Sequence, residues 1–408
     1  MKARTVFRNV HLIVGLVIGL VAAAVGLSGS ILTFREEIEH AFYEPTVAPQ
    51  SAAVLLQTAY AKAQAIEAER RRVSVIVLPE SATAPLEFAS SVKGARNLKD
   101  ADQLSIYADP FSGAIISQRH RNASFIAWLR DLHFALFAGT TGLQINGWMA
   151  LALIFLTLTG LVLWVQTYVK GKAFAINWKA SWKRLTWDLH RVLGSVMLVF
   201  LVLVTATGAY YPFREMVQKM LVGAGGALPA RGTPAVTPAI GATPLNLDEI
   251  IAKAQPVVSD ARLAVLRPPA TPTQAWAATF HRAWDEGESV DSGPTAYLDP
   301  YTGAVLRLDD ARTMSFAGRL LKSIEPLHFG KFVGLPQKIF WFILGLTPAF
   351  FFGSGVLMWW NRTRGARRAR KEVHHEARKE HEAVTSSQIT ETYSGFGESV
   401  QGSPSPDA

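Results

Sequence analysis

The chain has 408 residues, of which 49% are hydrophobic, and it contains no cysteine. This composition is too apolar for a wholly soluble protein and too polar for one buried entirely in a membrane, so it predicts membrane spans joined to soluble segments. Without cysteine the chain cannot form disulfides, thiolate metal sites, iron–sulfur clusters or covalently attached c-type haem. The net charge of +9 comes from basic clusters beside apolar segments, a membrane-orientation signal, so no nucleic-acid partner is expected.

Four segments lack Asp, Glu, Lys and Arg and are long enough to cross a bilayer, which takes about 20 residues. The first half is predicted to consist of a cytoplasmic N-terminus (1–10), a first span (11–34), a lobe outside the membrane (35–130) and an outer-face segment with the second span (131–169). A cytoplasmic loop (170–187) leads to the second half. That half is predicted to consist of a third span (188–213), a linker with a second lobe (214–326), an outer-face segment with the fourth span (327–361) and a disordered tail (362–408).

Positive charge predicts the orientation of these spans. Lysines and arginines flank the first span within residues 2–8, fill the loop at 170–187 and follow the fourth span from Arg362. All three segments fall on one side of a chain that crosses four times. We therefore expect both termini in the cytoplasm of a bacterium, the spans in its inner membrane and both lobes in the periplasm.

The two halves of the chain resemble each other. His11, Gly15, Gly29, Phe34, Arg35 and Glu36 align without a gap to His190, Gly194, Gly208, Phe213, Arg214 and Glu215. Leu132, His133, Phe134, Gly139, Gly160 and Trp164 align in the same way to Leu327, His328, Phe329, Gly334, Gly355 and Trp359. The predicted fold class is therefore membrane α-helical, with four transmembrane helices from two parallel repeats and two periplasmic α+β lobes.

Each predicted lobe carries the same short motifs. An Ala-Lys-Ala-Gln run at 61–64 and again at 252–255 predicts a helix. Asp109-Pro110 and Asp299-Pro300, each followed by an aromatic residue, Ser or Thr and then Gly, predict tight turns. Alternating apolar residues flank both turns, so we expect a hairpin in a small antiparallel sheet at each of them.

Four of the ten histidines are matched as histidine by the repeat, namely His11, His190, His133 and His328. A two-fold axis along the membrane normal would bring His11 toward His190 near the cytoplasmic face and His133 toward His328 near the outer face. Two neutral imidazoles facing each other in a helix bundle suit the axial positions of an iron porphyrin. Zinc or copper is the competing metal, but two histidines without cysteine do not complete a tetrahedral site. The alternative is that these are interfacial histidines duplicated with the rest of the unit.

Other polar residues carry weaker signals. Arg35 and Arg214 are matched at the outer ends of the first and third spans, where they can contact haem propionates or an anionic ligand, or simply anchor the helices. His40, His120 and His281 are interpreted as surface or turn residues. The histidines of the tail, at 374, 375 and 381, are interpreted as part of a solvated charged segment rather than a metal site.

Several spaced motifs resemble those of the PepSY-associated transmembrane family. They are Asp188-Leu189-His190-Arg191, Thr207-Gly208, Leu327-His328-Phe329-Gly330 and Ser354-Gly355, together with the Asp-Pro turns of the lobes, which resemble PepSY domains. The resemblance covers roughly residues 5–360. It implies haem b, two groups with bis-histidine ligation, and an inner-membrane enzyme that reduces a ferric siderophore or other iron chelate in the periplasm and so releases iron. The family's axial histidines would correspond to His11, His133, His190 and His328.

These observations predict a protein that transfers electrons across the membrane. One haem iron would be bound by His11 and His190 near the cytoplasm, and another by His133 and His328 near the outer face. The sequence holds no strand–GxGxxG–helix unit for a nicotinamide or flavin, so the donor would be a quinol or a cytoplasmic reductase. Two other hypotheses remain open: a non-redox membrane protein whose PepSY lobes bind or regulate a peptidase, and a transporter built on two repeats.

Overall fold

The computed structural model describes residues 3–50, 56–94, 102–168, 171, 173–230, 232–282, 293–331 and 334–398. The helices are α1 (Ala3–Leu32), α2 (Arg35–Tyr43), α3 (Leu56–Ala65), α4 (Phe125–Ala135), α5 (Gly139–Tyr168), α6 (Trp182–Tyr210), α7 (Arg214–Gly223), α8 (Leu247–Ala254), α9 (Phe316–Phe329) and α10 (Leu335–Glu398). The strands are β1 (Arg71–Val77), β2 (Leu86–Val92), β3 (Gln103–Ala108), β4 (Ile115–His120), β5 (Arg262–Arg267), β6 (Trp276–His281), β7 (Thr295–Leu298) and β8 (Val305–Asp309).

Among the described residues, four helices are long and apolar enough to cross a membrane, as the sequence predicted. The apolar stretches are Arg4–Leu32 in α1, Gly139–Gln166 in α5, Trp182–Tyr210 in α6 and Leu335–Gly365 in α10. Helices α1 and α6 each pack against both α5 and α10, so the four form a closed bundle. Gly19 allows α1 and α10 to approach closely, because a Cβ atom at this position would collide with the ring of Phe352.

The sequence predicted a disordered tail over 362–408, whereas the structure has helix in residues 362–398. Helix α10 continues without a break to Glu398, and residues 399–408 lie outside the described part of the chain. The physical reason is that Ala, Arg, Lys and Glu in this segment are strong helix formers. An extension of an existing helix also needs no new nucleus, which is the costly step in helix formation. The side chains of His374 and His375 are exposed on this extension.

The strands form one eight-stranded sheet rather than two separate small ones. Its order is β4-β3-β2-β1-β5-β6-β7-β8, and every neighbouring pair is antiparallel. The two lobes are joined where β1 meets β5, through a short register that pairs Ile76 with Leu266 and Val77 with Val265. The small antiparallel sheets expected in the two lobes are therefore parts of one continuous sheet.

A single hydrophobic core runs beneath both halves of the sheet. Helices α3 and α8 contact each other, and the backbone N–H of Leu247 donates to the side chain of Gln57 across the join at 2.8 Å. The ring of Tyr60 contacts that of Trp276, with centroids 6.3 Å apart, although they come from different halves of the chain. Burial of apolar side chains from both halves in one core stabilises the joined sheet.

The two Asp-Pro motifs form the predicted hairpin turns. The carboxylate of Asp109 accepts the backbone N–H of Phe111 at 2.8 Å, and that of Asp299 accepts the N–H of Tyr301 at 2.7 Å. Gly113 and Gly303 adopt positive φ angles of 62° and 72°, where a side chain would be strained. These turns connect β3 to β4 and β7 to β8, the strands that lead the chain back toward the bundle.

A buried ion pair lies at the end of the second half of the sheet. A guanidinium N–H of Arg282 donates to the carboxylate of Asp310 at 2.6 Å, and the two side chains are only 7% and 11% exposed. Burial alone would raise the pKa of Asp310, but the hydrogen bond and charge of Arg282 outweigh it and hold the pKa below its usual range.

This ion pair predicts a pH-dependent contribution to the stability of the sheet. Because the pKa of Asp310 is lower in the folded protein, its contribution is complete above the unfolded value of 3.8 and is lost as the pH falls through the folded value. Thermal unfolding of the wild type and Asp310→Asn should therefore differ more at pH 6 than at pH 3. The same difference in stability at both pH values would contradict this assignment.

Candidate functional site

The four repeat-matched histidines meet in two pairs inside the helix bundle. The rings of His11 and His190 have centroids 6.3 Å apart with an interplanar angle of 81°. The rings of His133 and His328 have centroids 6.1 Å apart with an interplanar angle of 52°. Each pair combines one histidine from each half of the chain, as the sequence repeat predicted.

His11 and His190 lie on the first long helix of each half, α1 and α6. Nδ1 of His11 lies 2.9 Å from Oγ1 of Thr159 on α5, and Nδ1 of His190 lies 2.6 Å from Oγ of Ser354 on α10. Thr159 and Ser354 occupy equivalent positions of the sequence repeat. Each imidazole of this inner pair is thus attached by one edge to the second long helix of its own half.

His133 and His328 lie in the last turns of the short helices α4 and α9. The hydroxyls of Ser124 and Ser315 cap the N-termini of these helices by accepting a backbone N–H. Both helices end at a residue in the left-handed conformation, Leu136 after α4 and Gly330 after α9. These defined ends hold each histidine at the point where the chain turns into a long helix.

The outer pair is held in the same manner as the inner pair. Nδ1 of His133 lies 2.8 Å from the carbonyl oxygen of Val25 on α1, and Nδ1 of His328 lies 2.9 Å from that of Val204 on α6. The hydroxyls of Ser28 and Thr207 also approach these nitrogens, at 3.3 and 3.2 Å. Val25 matches Val204 in the sequence repeat, and Ser28 matches Thr207.

These contacts determine which ring nitrogen carries the proton. A backbone carbonyl can only accept a hydrogen bond, so Nδ1 of His133 and of His328 must donate. The hydroxyl of Ser354 donates its own proton to a helix carbonyl at 2.8 Å, so it accepts from Nδ1 of His190. Thr159 does the same beside His11. Nδ1 of each ring is therefore the donor, and Nε2 retains the lone pair that a metal ligand needs.

The spacing and the donor set fit two imidazoles on opposite sides of one metal ion. A metal–imidazole bond is about 2 Å long and the nitrogen lies about 1 Å from the ring centre, so two opposed rings have centroids about 6 Å apart. Both pairs match this value. Within the described residues no three His, Asp or Glu side chains cluster, whereas a protein zinc site needs at least three. The pairs thus fit the two axial positions of a haem iron.

Glycines stand against the edges of three of the rings. A Cβ atom at Gly29 would lie 2.7 Å from Cε1 of His133, and one at Gly208 would lie 2.9 Å from Cε1 of His328. At Gly160 the corresponding distance to Cε1 of His11 is 3.2 Å. By contrast, a Cβ atom at Gly15 would meet its neighbour only at ordinary van der Waals distance, so that glycine does not crowd a histidine.

Sequence reasoning missed the hydroxyl residues that orient the imidazoles. Each hydroxyl directly precedes a repeat-matched glycine, in the dipeptides Ser28-Gly29, Thr207-Gly208, Thr159-Gly160 and Ser354-Gly355. This pattern recurs four times and was the available signal. In all four dipeptides the hydroxyl oxygen lies beside Nδ1 of an imidazole. In the first three, the glycine also leaves space for the same ring.

The two pairs lie at different depths of the bundle. His11 is near the N-terminal end of α1, and Val25, which binds His133, is 14 residues further along the same helix. At 1.5 Å per residue this corresponds to about 21 Å along the helix axis. The outer pair therefore lies at the end of the bundle that carries the sheet, and the inner pair at the opposite end.

The two matched arginines differ in their surroundings. The guanidinium of Arg35 lies 5.2 Å from the ring centroid of Phe329, next to His328, and contacts Glu36 at 3.4 Å. Arg214 instead lines a cleft beside α7. The remaining histidines lie apart from the pairs, since His40 binds Glu44, His120 binds Asp102 and His281 belongs to β6.

Comparison with protein families gives one match, to the model described as the PepSY-associated TM region, over residues 8–362. The chain belongs to the PepSY-associated transmembrane family. A comparison with curated proteins finds no match. The matched region contains the second and third long apolar stretches in full, the first from residue 8 and the fourth up to residue 362. It also contains the whole sheet and both histidine pairs.

The close approach of a glycine to an imidazole ring can be tested by substitution, with a glycine that lacks such a contact as the control. Gly208→Ala should displace His328, because the added methyl group overlaps the ring, and would thereby lower the content of any haem that this histidine binds. Gly355→Ala should leave haem content unchanged, since a Cβ atom there meets nothing within 4 Å. Haem would be quantified by absorption after extraction, together with the thermal stability of each variant. Equal haem content in both variants would show that the close approach of Gly208 to His328 is not needed.

Proposed function

We propose that this family member is a haem-containing reductase of the bacterial inner membrane that passes electrons across the bilayer to an iron chelate in the periplasm. In this proposal one haem b is held by His11 and His190, and a second by His133 and His328. The observation that carries the proposal is the presence of two imidazole pairs whose ring centroids lie 6.3 and 6.1 Å apart, the spacing expected for two histidine ligands of one iron. Haem iron supplies a reversible one-electron couple at each of these two depths.

The chain's own residues would keep the imidazoles neutral and fixed in direction. Carbonyl and hydroxyl oxygens hold the proton on Nδ1, as described above for His133 and His190. Hydrogen bonds of this kind set ring orientation and ligand basicity in metal sites, and their loss typically weakens binding by about 10- to 100-fold. Because the partners lie on long helices, the rings would be positioned before the cofactor binds.

The direction of electron flow follows from the proposed topology. The basic segments at 2–8, 170–187 and after Arg362 would lie in the cytoplasm, which makes the His11 and His190 pair the entry point. The sheet would then lie in the periplasm together with the His133 and His328 pair. We further propose that the two halves are related by a pseudo-two-fold axis along the membrane normal, which is supported by the equivalent contacts of Val25 and Val204.

The proposed reaction is a one-electron reduction of Fe(III) in the chelate to Fe(II), balanced by loss of one electron from the donor. The donor would be a quinol or a cytoplasmic reductase, since the sequence carries no dinucleotide-binding fingerprint. A ferric siderophore is the proposed acceptor. Siderophores bind iron through hard oxygen ligands, which prefer Fe(III), so reduction would weaken the complex and release iron.

Substitution of the histidines tests this function against a non-redox role in binding or regulating a peptidase. The wild type should be red, with dithionite-reducible absorption bands of low-spin haem and about two haems per chain. His11→Ala and His328→Ala should each lose about half of the haem, because each removes one ligand of a different pair. His40→Ala, which alters a histidine paired with Glu44, serves as the control.

The outcomes of this experiment are distinct. A colourless wild-type protein would contradict the haem proposal and favour the non-redox role. Full haem content in both His11→Ala and His328→Ala would show that the ligand assignment is wrong. A loss in His40→Ala as large as in the other two variants would show that the effect is not specific to the pairs.

A further inference from the structure

A cleft of about 840 Å³ opens at the sheet-side end of the bundle, between α7 and the start of α5. Six of the residues that line it matter here: Tyr211, Arg214, Glu215, Met216, Lys219 and Met220. They combine charged groups with flexible apolar side chains. In the sequence repeat, the helix equivalent to α7 is α2 of the other half.

The equivalent surface on α2 is closed by ion pairs. Glu36 accepts from Lys331 at 2.5 Å, and Glu37 accepts from Lys338 at 2.6 Å. The side chains of both lysines are more than nine-tenths buried. They connect α2 of the first half to the α9–α10 region of the second half. His40, further along α2, binds Glu44.

No such ion pairs form at α7. The positions that match Lys331 and Lys338 in the sequence repeat are Leu136 and Leu143, which carry no charge. Within the described part of the chain, Arg214, Glu215 and Lys219 make no hydrogen bond or ion pair through their side chains. Because leucines stand at these two positions, α7 lacks the ion pairs that hold α2, and its charged side chains are available for a ligand.

The cleft adjoins the outer histidine pair. Tyr211 lines the cleft, and its ring centroid lies 6.0 Å from that of His328. The residue that matches Tyr211 in the other half is Leu32, which has no aromatic ring. A ligand seated in the cleft would thus be one aromatic side chain away from His328.

The charges of the cleft define the chemistry of its occupant. Arg214 and Lys219 outnumber Glu215, so the charged groups sum to one positive charge at neutral pH. Met216 and Met220 add polarizable apolar surface that adapts to ligands of different shape. An anion with a partly apolar surface complements these features, and guanidinium and ammonium groups bind anionic oxygens strongly.

We propose that this cleft beside α7 is the single binding site for the iron chelate, and that it selects chelates that carry net negative charge. The inference rests on the proposed function for the identity of the ligand, but not for the location of the site. The asymmetry between α7 and α2 makes the site one per chain despite the duplicated architecture.

Gallium(III) complexes test this proposal without any redox step, because gallium(III) resembles ferric iron in charge and size but is not reduced. The full-length protein in nanodiscs of zwitterionic lipid would be titrated calorimetrically with an anionic gallium tris-catecholate. A neutral gallium trihydroxamate serves as the comparison ligand. The wild type should bind one anionic complex per chain, more tightly than the neutral one, and the affinity should fall with added salt.

The sequence repeat supplies a matched pair of variants. Lys219→Gln should weaken binding of the anionic complex about tenfold, because it removes a cation from the cleft. His40→Gln alters the equivalent position on α2 and should bind as the wild type does. Both variants change exposed side chains, and an unchanged thermal unfolding curve confirms that each is folded.

Several results would overturn the proposal. These are equal affinity in the wild type and Lys219→Gln, an equal loss in His40→Gln, binding of two complexes per chain, or no preference for the anionic complex. Nanodiscs that contain anionic lipid provide one more test. If anionic lipid abolishes binding, the cleft holds lipid headgroups and the proposal is wrong. A colourless protein that still binds gallium complexes as described would instead contradict the haem function and leave the cleft assignment standing.

Discussion

The hydrogen bond from each imidazole Nδ1 to a helix oxygen is the interaction on which the proposed site depends. A histidine inside an apolar bundle can rotate and can carry its proton on either nitrogen. Carbonyl oxygens of Val25 and Val204 remove this freedom for the outer pair, because they can only accept a proton. Hydroxyls whose own protons are directed to helix carbonyls do the same for His190. Without these bonds, a centroid spacing near 6 Å would not indicate which nitrogen of each ring is free to bind a metal ion.

The proposed duplication would explain how so few residue types build the two proposed sites. A unit that contributes one histidine near each end of the bundle gives two complete pairs when a second copy packs against it. The same duplication places a hydroxyl and a glycine beside the rings in each half, as in Ser28-Gly29 and Thr207-Gly208. The two halves differ in the surroundings of α2 and α7. Lys331 and Lys338 clamp α2, whereas the leucines at the matching positions leave α7 beside an open cleft.

The long apolar segments, the hairpin turns and the histidine pairs could be predicted from the sequence, because each follows from a local pattern or from alignment of the two halves. The join between β1 and β5 could not, since it pairs only Ile76 and Val77 with residues far along the chain, and nothing local marks it. The continuation of α10 was missed because charge was weighed as a sign of disorder, although the same residues favour a helix. The cleft could not be predicted either, because it depends on leucines at the two positions that match Lys331 and Lys338. The alignment contains this difference, but its effect becomes clear only once the ion pairs of the two lysines are known.

Anomalous X-ray scattering at the iron edge, measured on crystals of the purified protein, tests the central claim most directly. The proposal predicts two iron positions per chain, one between the rings of His11 and His190 and the other between those of His133 and His328. Iron at neither position, or iron bound only at a different set of residues, would contradict the claim that these imidazole pairs are axial ligands.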